Sequence, residues 1–337
     1  MLNQIFSYQM AAVVVTTAVA AHPVSSYPTF NVLWELLRPG IYLAQIEQTE
    51  KTSQKPVELE PTTRLAVLTY HHILPDHYMQ IYWHNNPWVV SVEDFYRQMR
   101  FLYENGFTTV TNQQVMDFLF DDVPLPPRAV KIQFDDGYYS AFVYAYPVLS
   151  RFGFTATNFM IGINQYRLGV VQPVFDPSYL VHSTLATIMN SQQVFELASH
   201  TFNMHGPGVL GTGIELIHGE YDDIVADMIR SFDFVTNRYA FVYPGGGYND
   251  TVIAALQTAG IRMAFSGHWG FVTRDANPFV LPRIMVIQGM PLDYFSSLFR
   301  YFDPLPVTAQ MIEQQDVPVI LRRDTSGYQI QQKGQNE

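Results

Sequence analysis

Between residues 63 and 303, short apolar runs alternate with amphipathic stretches. Leu65-Ala66-Val67-Leu68-Thr69-Tyr70 is continuous, apolar and partly β-branched, which predicts a buried strand. Ser91-Val92-Glu93-Asp94 opens a helix, with acidic residues close behind the Ser91 cap. Val92, Phe95, Met99, Leu102 and Tyr103 fall on one face of that helix, and Gly106 stops it. Thr111 to Phe120 predicts a second helix and Ala129 to Phe134 a strand. Further on, the pattern predicts helices over 140–152, 222–235, 249–258 (closed by Gly260) and 292–301, the last one. It predicts strands over 156–161, 197–199, 240–243, 262–266 and 280–286. Strand and helix thus alternate six or seven times with no internal repeat. At this length the alternation predicts a parallel sheet closed, or nearly closed, into an α/β barrel.

Composition narrows the function classes. The chain has 337 residues, 48% hydrophobic and only 15% charged, so most of it has the means to fold. Its formal charge is −11, and its only lysines are Lys51, Lys55, Lys131 and Lys333. A nucleic-acid partner is therefore excluded, an anionic membrane surface is disfavoured, and no protein partner is evident. There is no cysteine, so any metal site must draw on Asp, Glu and the ten histidines.

Two flanks depart from the alternation. Met10 to Ala21 is a weakly apolar run, too short for a membrane span of about 20 residues, with a small-x-small site at Ala18-Val19-Ala20. It fits an export signal, and hence an extracellular or envelope location, although no Lys or Arg precedes Arg38; the other reading is a loose N-terminal arm. Residues 46–62 read as a polar linker, and the chain is polar again from Gln314. The expected organisation is a signal-like segment and linker over 1–62, a barrel over 63–303 and a polar tail over 304–337.

In an α/β barrel the chemistry sits at the C-terminal ends of the strands. The polar residues that follow the apolar runs are Tyr70-His71-His72, Asp135-Asp136-Gly137, His200 with His205, and Pro244-Gly245-Gly246-Gly247. Gly137 permits an unusual turn, so adjacent carboxylates can take separate tasks, one as metal ligand and one as free base; Asp-Asp-Gly is also ordinary turn chemistry. A spacing of five between His200 and His205 is wrong for one helical face and on its own favours two unrelated surface histidines, but a tight loop can bring them together. With Asp136 they make two imidazoles and a carboxylate, the donor set of a catalytic zinc or similar ion.

These residues carry a resemblance. Leu68-Thr69-Tyr70-His71-His72-Ile73, Ile132-Gln133-Phe134-Asp135-Asp136-Gly137-Tyr138, Ala198-Ser199-His200-Thr201 with His205, and Tyr243-Pro244-Gly245-Gly246 resemble, in order, the motifs of the polysaccharide deacetylase family, with its NodB-homology domains. The similarity is greatest to the branch that de-N-acetylates poly-N-acetylglucosamine, and it covers about 64–300. It implies a distorted (β/α)7 barrel and one divalent ion, zinc first, with Co2+, Ni2+, Fe2+ or Mn2+ open. Asp135 matches the general base, Asp136, His200 and His205 the metal ligands, and His71 the general acid. Gly245 sits where the family has a Tyr whose backbone N–H faces the oxyanion; with Tyr243, Pro244 and Arg283 it makes up the expected substrate-binding group.

There are departures. Val242 stands where many members carry an Arg that orients the base; Arg283, after another strand, is the candidate substitute, against a plain surface role. Val286-Ile287-Gln288-Gly289 replaces the late Leu-x-His motif. His72 has no matching role and reads as packed or solvent-facing. Trp83, Trp88 and Trp269 read as loop anchors or as platforms for sugar rings. The expected function is removal of N-acetyl groups from an N-acetylglucosamine-containing polysaccharide or oligosaccharide. The alternatives are a hydrolase of another linear C–N bond and a catalytically inactive carbohydrate-binding barrel.

Overall fold

The computed structural model describes residues 60–168, 176–178, 182–183, 191–206, 213–302, 304–315, 322–324 and 327–329. The signal-like run at 10–21 and the linker over 46–59 lie outside them, as does most of the tail beyond 315. Among the described residues, no helix is long and apolar enough to cross a membrane.

Seven parallel strands close a ring: β1 (Arg64–Tyr70), β5 (Ala129–Phe134), β6 (Ala156–Met160), β7 (Phe195–Ser199), β8 (Ala240–Val242), β9 (Met263–Trp269) and β11 (Leu281–Met285), which pairs back onto β1. Two short strands lie at its edge. β4 (Thr108–Thr109) runs parallel to β5, and β10 (Phe271–Thr273) runs antiparallel to β1. A separate pair, β2 (His72–Leu74) and β3 (Val89–Ser91), sits above the ring. The expected (β/α)7 barrel is therefore the observed one. It is distorted where β9 bulges against β11: Leu281 pairs with Phe265, but Arg283 pairs with Trp269.

The strands alternate as a two-sided sheet must. Leu65, Val67, Ala129, Phe159, Ala198, Val242, Phe265 and Leu281 form one buried cluster, the barrel lumen. Ala66, Leu68, Val130, Ile132 and Phe134 belong to another, under the outer helices. Helix α2 (Val92–Glu104) supplies Phe95, Met99 and Leu102 to that outer core, and its Ser91 hydroxyl accepts from Asp94 N at 2.9 Å. Helix α3 (Asn112–Phe120) starts with a complete capping box between Thr111 and Gln114 and lays Val115, Met116 and Phe118 on the lumen cluster.

Some elements differ from expectation. The helix over 140–152 begins as a π-helical turn, Ala141–Ala145, before α4 (Tyr146–Phe152). β7 starts at Phe195, two residues early. The packing does not stop at 303, and the helix over 292–301 is not the last. It divides into α9 (Leu292–Ser297) and a 3-10 turn, and α10 (Ala309–Glu313) follows, burying Ala309 and Ile312 in the outer core. Asn105 ties this end down, donating to and accepting from the Val307 backbone at 2.9 Å. The polar flanks of α10 hid its two inward residues from a reading of average polarity.

Candidate active site

The ends of β5 and β7 bring three acceptors to one point. Asp136 Oδ1 lies 3.0 Å from His205 Nε2 and 3.3 Å from His200 Nε2, and all three residues are buried. The backbone makes this possible by leaving the strand abruptly. Asp136 has φ 71° and Gly137 φ 68°, so the carboxylate turns inward directly after the strand. A Cβ at Gly137 would fall 2.7 Å from Met160 Cε, the movable end of that side chain, so it is chiefly the left-handed backbone that calls for glycine here. After β7, Thr201 takes φ 72° and bends the chain so that His205 returns beside His200. Asp227, on α7 (Tyr221–Ser231), holds that bend by accepting from the N–H groups of Phe202 and Asn203, each at 2.7 Å. Burial pushes the Asp227 carboxyl up to about 6, against the pull of those two N–H donors.

The tautomers follow from the partners. His200 Nδ1 lies 2.8 Å from the Val242 carbonyl, which can only accept, so Nδ1 carries the proton and Nε2 presents a lone pair. His205 Nδ1 faces the Gly206 carbonyl at 3.4 Å in the same sense. Two nitrogen lone pairs and a carboxylate oxygen thus converge, with the Tyr138 hydroxyl also hydrogen-bonded to the Asp136 carboxylate. That donor set fits a divalent cation with three protein ligands, and the carbonyls behind the imidazoles are the partners that metal-binding histidines usually have. Burial opposes the charge on Asp136, but its contacts with His200 and His205 outweigh that and hold its carboxyl well below the usual range.

Asp135, one residue earlier, faces elsewhere. Arg283 Nη1 donates to both of its carboxylate oxygens, at 2.9 and 2.8 Å, and Arg283 Nε donates to the Ser266 carbonyl at 3.0 Å. Both residues are buried. The Arg expected at 242 is thus replaced from a different strand, and the β9 bulge at Ser266 supplies the carbonyl that steers it. A surface reading of Arg283 fails because the strand turns it into the lumen. On the other side, His71 Nε2 lies 3.9 Å from Asp135 Oδ2, and its ring packs on Trp88 at 4.7 Å between centroids. Burial lowers the His71 pKa, with Asp135 pulling the other way.

The expected substrate-binding group needs correction. Tyr243 is buried, its hydroxyl donating to the Phe279 carbonyl at 2.9 Å, and Pro244 is buried beneath the loop. Arg283 spends its donors on Asp135 and Ser266. These side chains frame the site without lining an open groove. Gly245 is exposed, at φ 61°. His72 is packed: its Nδ1 meets Ser140 Oγ at 2.5 Å, and its Nε2 has no hydrogen-bond partner. His268 bonds the Tyr248 hydroxyl at 3.0 Å, away from the cluster. Trp83 donates to the Pro177 carbonyl, and Trp269 is 63% exposed. Asp227 escaped the sequence reading, although it shares the face of Ile224, Met228 and Ser231, and an acid on the buried stripe of a helix is a readable signal.

Comparisons with known proteins agree with this geometry. Residues 122–264 match the family model for polysaccharide deacetylase. A Bacillus subtilis (strain 168) protein, provisionally named polysaccharide deacetylase YxkH, is 26% identical over 259 residues, 76% of this chain and 83% of that protein. The poly-beta-1,6-N-acetyl-D-glucosamine N-deacetylase of Staphylococcus aureus (strain MSSA476) is 24% identical over 272 residues, 77% of this chain and 89% of that protein. The solved deacetylase PplD of Streptococcus pyogenes, in complex with acetate, shares the fold with a TM-score of 0.58 at 22% identity, over 73% of this chain and 100% of that one. The matched segment, residues 122–264, carries Asp135, Asp136, His200 and His205, and the closed seven-stranded barrel around them is the fold shared with the solved deacetylase.

Proposed function

We propose that the chain removes N-acetyl groups from an N-acetylglucosamine-containing polysaccharide, using a divalent ion held by Asp136, His200 and His205. The observation that carries this reading is the division of labour between neighbouring carboxylates. Asp136 points at two imidazole lone pairs, while Asp135 is gripped by Arg283 and flanked by His71. An acetamide resists hydrolysis because its carbonyl is a poor electrophile and its amine a poor leaving group. A divalent cation, zinc by its fit to this donor set, supplies Lewis acidity and makes water a better nucleophile near neutral pH.

The chain's own residues do the rest. Asp135 is oriented by the Arg283 guanidinium, and its remaining lone pairs accept the proton of the attacking water. His71 holds a proton at Nε2 for the departing nitrogen, its ring fixed by Trp88. The Gly245 N–H, on an exposed turn beside the site, is the candidate donor to the oxyanion. The named activity of the Staphylococcus aureus relative supports a poly-N-acetylglucosamine substrate. A substrate of that kind, together with the apolar run at 10–21, supports export, which N-terminal sequencing of the protein from its host tests.

The deciding experiment is acetate release from a panel of N-acetylglucosamine polymers, with and without chelator. Release that stops on chelation and returns with a divalent ion is expected. No release from any member, under metal-replete conditions, overturns the reading.

A further inference from the structure

Left-handed backbone at a residue with a Cβ persists only where the surroundings hold it there. Asp136 takes it at φ 71°, and Gly137 follows at φ 68°. The carbonyls of both accept from one short segment later in the chain. His182 Nδ1 lies 2.8 Å from the Asp136 carbonyl, and the Ser183 N–H donates to the Gly137 carbonyl at 3.0 Å. Tyr138 and His182 also pair as an isolated antiparallel bridge, which fixes the register of these two contacts. His182 lies 46 positions after Asp136, so the turn is held from outside and not by the local chemistry of Asp-Asp-Gly.

The partners of His182 define its tautomer. A carbonyl can only accept, so Nδ1 carries the proton and Nε2 presents a lone pair. Asn164, on α5 (Gly162–Leu168), donates to that Nε2 from Nδ2 at 3.1 Å. With both nitrogens engaged, the ring is suited neither to ligate an ion nor to carry a proton to substrate. It does reach the Asp136 side chain by a second route. The His182 ring stacks on Tyr138, with centroids 4.9 Å and planes 25° apart, and the Tyr138 hydroxyl bonds the Asp136 carboxylate. One imidazole thus braces Asp136 twice, at its backbone directly and at its carboxylate through Tyr138.

We propose that His182 is a positioning residue for Asp136: it holds the left-handed turn that aims the carboxylate at His200 and His205, and so sets how tightly the three retain a divalent ion. The metal half of this inference rests on the function proposed above. Groups that orient a metal ligand from behind typically change metal affinity tenfold to a hundredfold when removed, and His182 stands in that relation to Asp136.

The test compares two variants of the full chain. His182→Phe keeps a ring against Tyr138 and deletes the donor. His182→Asn loses the ring but places an amide N–H where Nδ1 stands. Zn2+ is titrated into each metal-free protein in competition with a chromophoric chelator. His182→Phe should bind about tenfold to a hundredfold more weakly than the wild type, and His182→Asn should recover most of that loss. Unchanged affinity in His182→Phe overturns the inference. So does an equal loss in both variants, which assigns the effect to the bulk of the ring. If His182→Phe does not fold, Asn164→Ala carries the test: it leaves His182 in place without its Nε2 partner and should weaken binding by about threefold, and unchanged affinity there overturns the inference. A crystal structure of metal-free His182→Phe decides the placement without any ion. The Asp136 carboxylate should leave its position 3.0 Å from His205 Nε2, and an unmoved carboxylate overturns the inference. If the wild type takes up no Zn2+, the metal reading fails, and this structure alone decides whether His182 places Asp136.

Discussion

The barrel lumen carries buried charge at both ends, and the two ends treat it differently. At the N-terminal end Lys131 is fully buried, yet its ammonium reaches the Thr157 hydroxyl at 3.1 Å, the Val110 carbonyl at 3.3 Å and Glu196 at 4.0 Å. Burial pulls its pKa down to about 8, which leaves it protonated at neutral pH among acceptors that suit it. At the C-terminal end the Asp136 carboxylate and the Nε2 atoms of His200 and His205 crowd to 3.0–3.3 Å of one another. Lys131 has its acceptors in place, while the groups at the mouth form the donor set that, on the function proposed above, a positive ion completes. Burial alone is thus a poor guide to chemistry; the sign of what is missing is the better one.

Substitutions should separate the two ends sharply. The largest effect belongs to the histidines proposed as ligands: His200→Ala should lose most of the bound metal and at least about a thousandfold in turnover, checked by elemental analysis beside acetate release. Asp135→Asn and His71→Ala should each lose about a hundredfold to ten-thousandfold in kcat while keeping stoichiometric metal. Metal loss in Asp135→Asn would reverse the roles of the two aspartates.

A pH effect comes next. Burial, with His182 and His71 nearby, pushes the His72 imidazole down to about 3. The folded chain keeps it neutral, whereas the unfolded chain protonates it near pH 6.5. Between those values the unfolded state binds more protons, so this contribution is full above about pH 6.5 and fades as pH falls, by about 1.4 kcal/mol per unit. Melting curves from pH 7 to 4.5 should show a shallower acid loss for His72→Asn than for the wild type; parallel slopes would contradict it. The smallest effect on turnover is at the floor. Lys131→Met removes one partner and leaves the Val110 carbonyl, the Thr157 hydroxyl and Glu196 without their cation, so it should cost about 1–3 kcal/mol with turnover unchanged. Unchanged or raised stability in denaturant titration would mean that those contacts contribute nothing to the floor.

How far the sequence carried the fold and the site can be read from particular residues. The strand Ala129–Phe134 was legible from its apolar run, and its break into Asp135-Asp136-Gly137 from the polar residues directly behind it. His200 and His205 were legible only through the resemblance, because their approach depends on the left-handed turn at Thr201, which no spacing rule reveals. Arg283 was named but undervalued: its partner lies 148 residues away, and only ring closure brings β11 to β1. Tyr243 was misread because an aromatic beside a Gly-rich turn suggests a groove wall, whereas strand alternation turns it onto Val252 and Leu256 in the outer packing. The β2–β3 pair and α10 escaped because segments this short give no periodicity to count.

Asp136 and Thr201 bear on how such a chain would drift. Left-handed backbone in a residue with a Cβ costs about 1–3 kcal/mol, and for a β-branched residue like Thr201 it is an outlier. Asp136 is one of the proposed metal ligands, and Thr201 directly follows another, His200. A lineage released from any need for activity would therefore gain stability from changes such as Asp136→Gly, and would lose its chemistry there first while the barrel stayed intact. Screens that select this protein for heat resistance alone would push in the same direction, and should be paired with an activity screen from the first round.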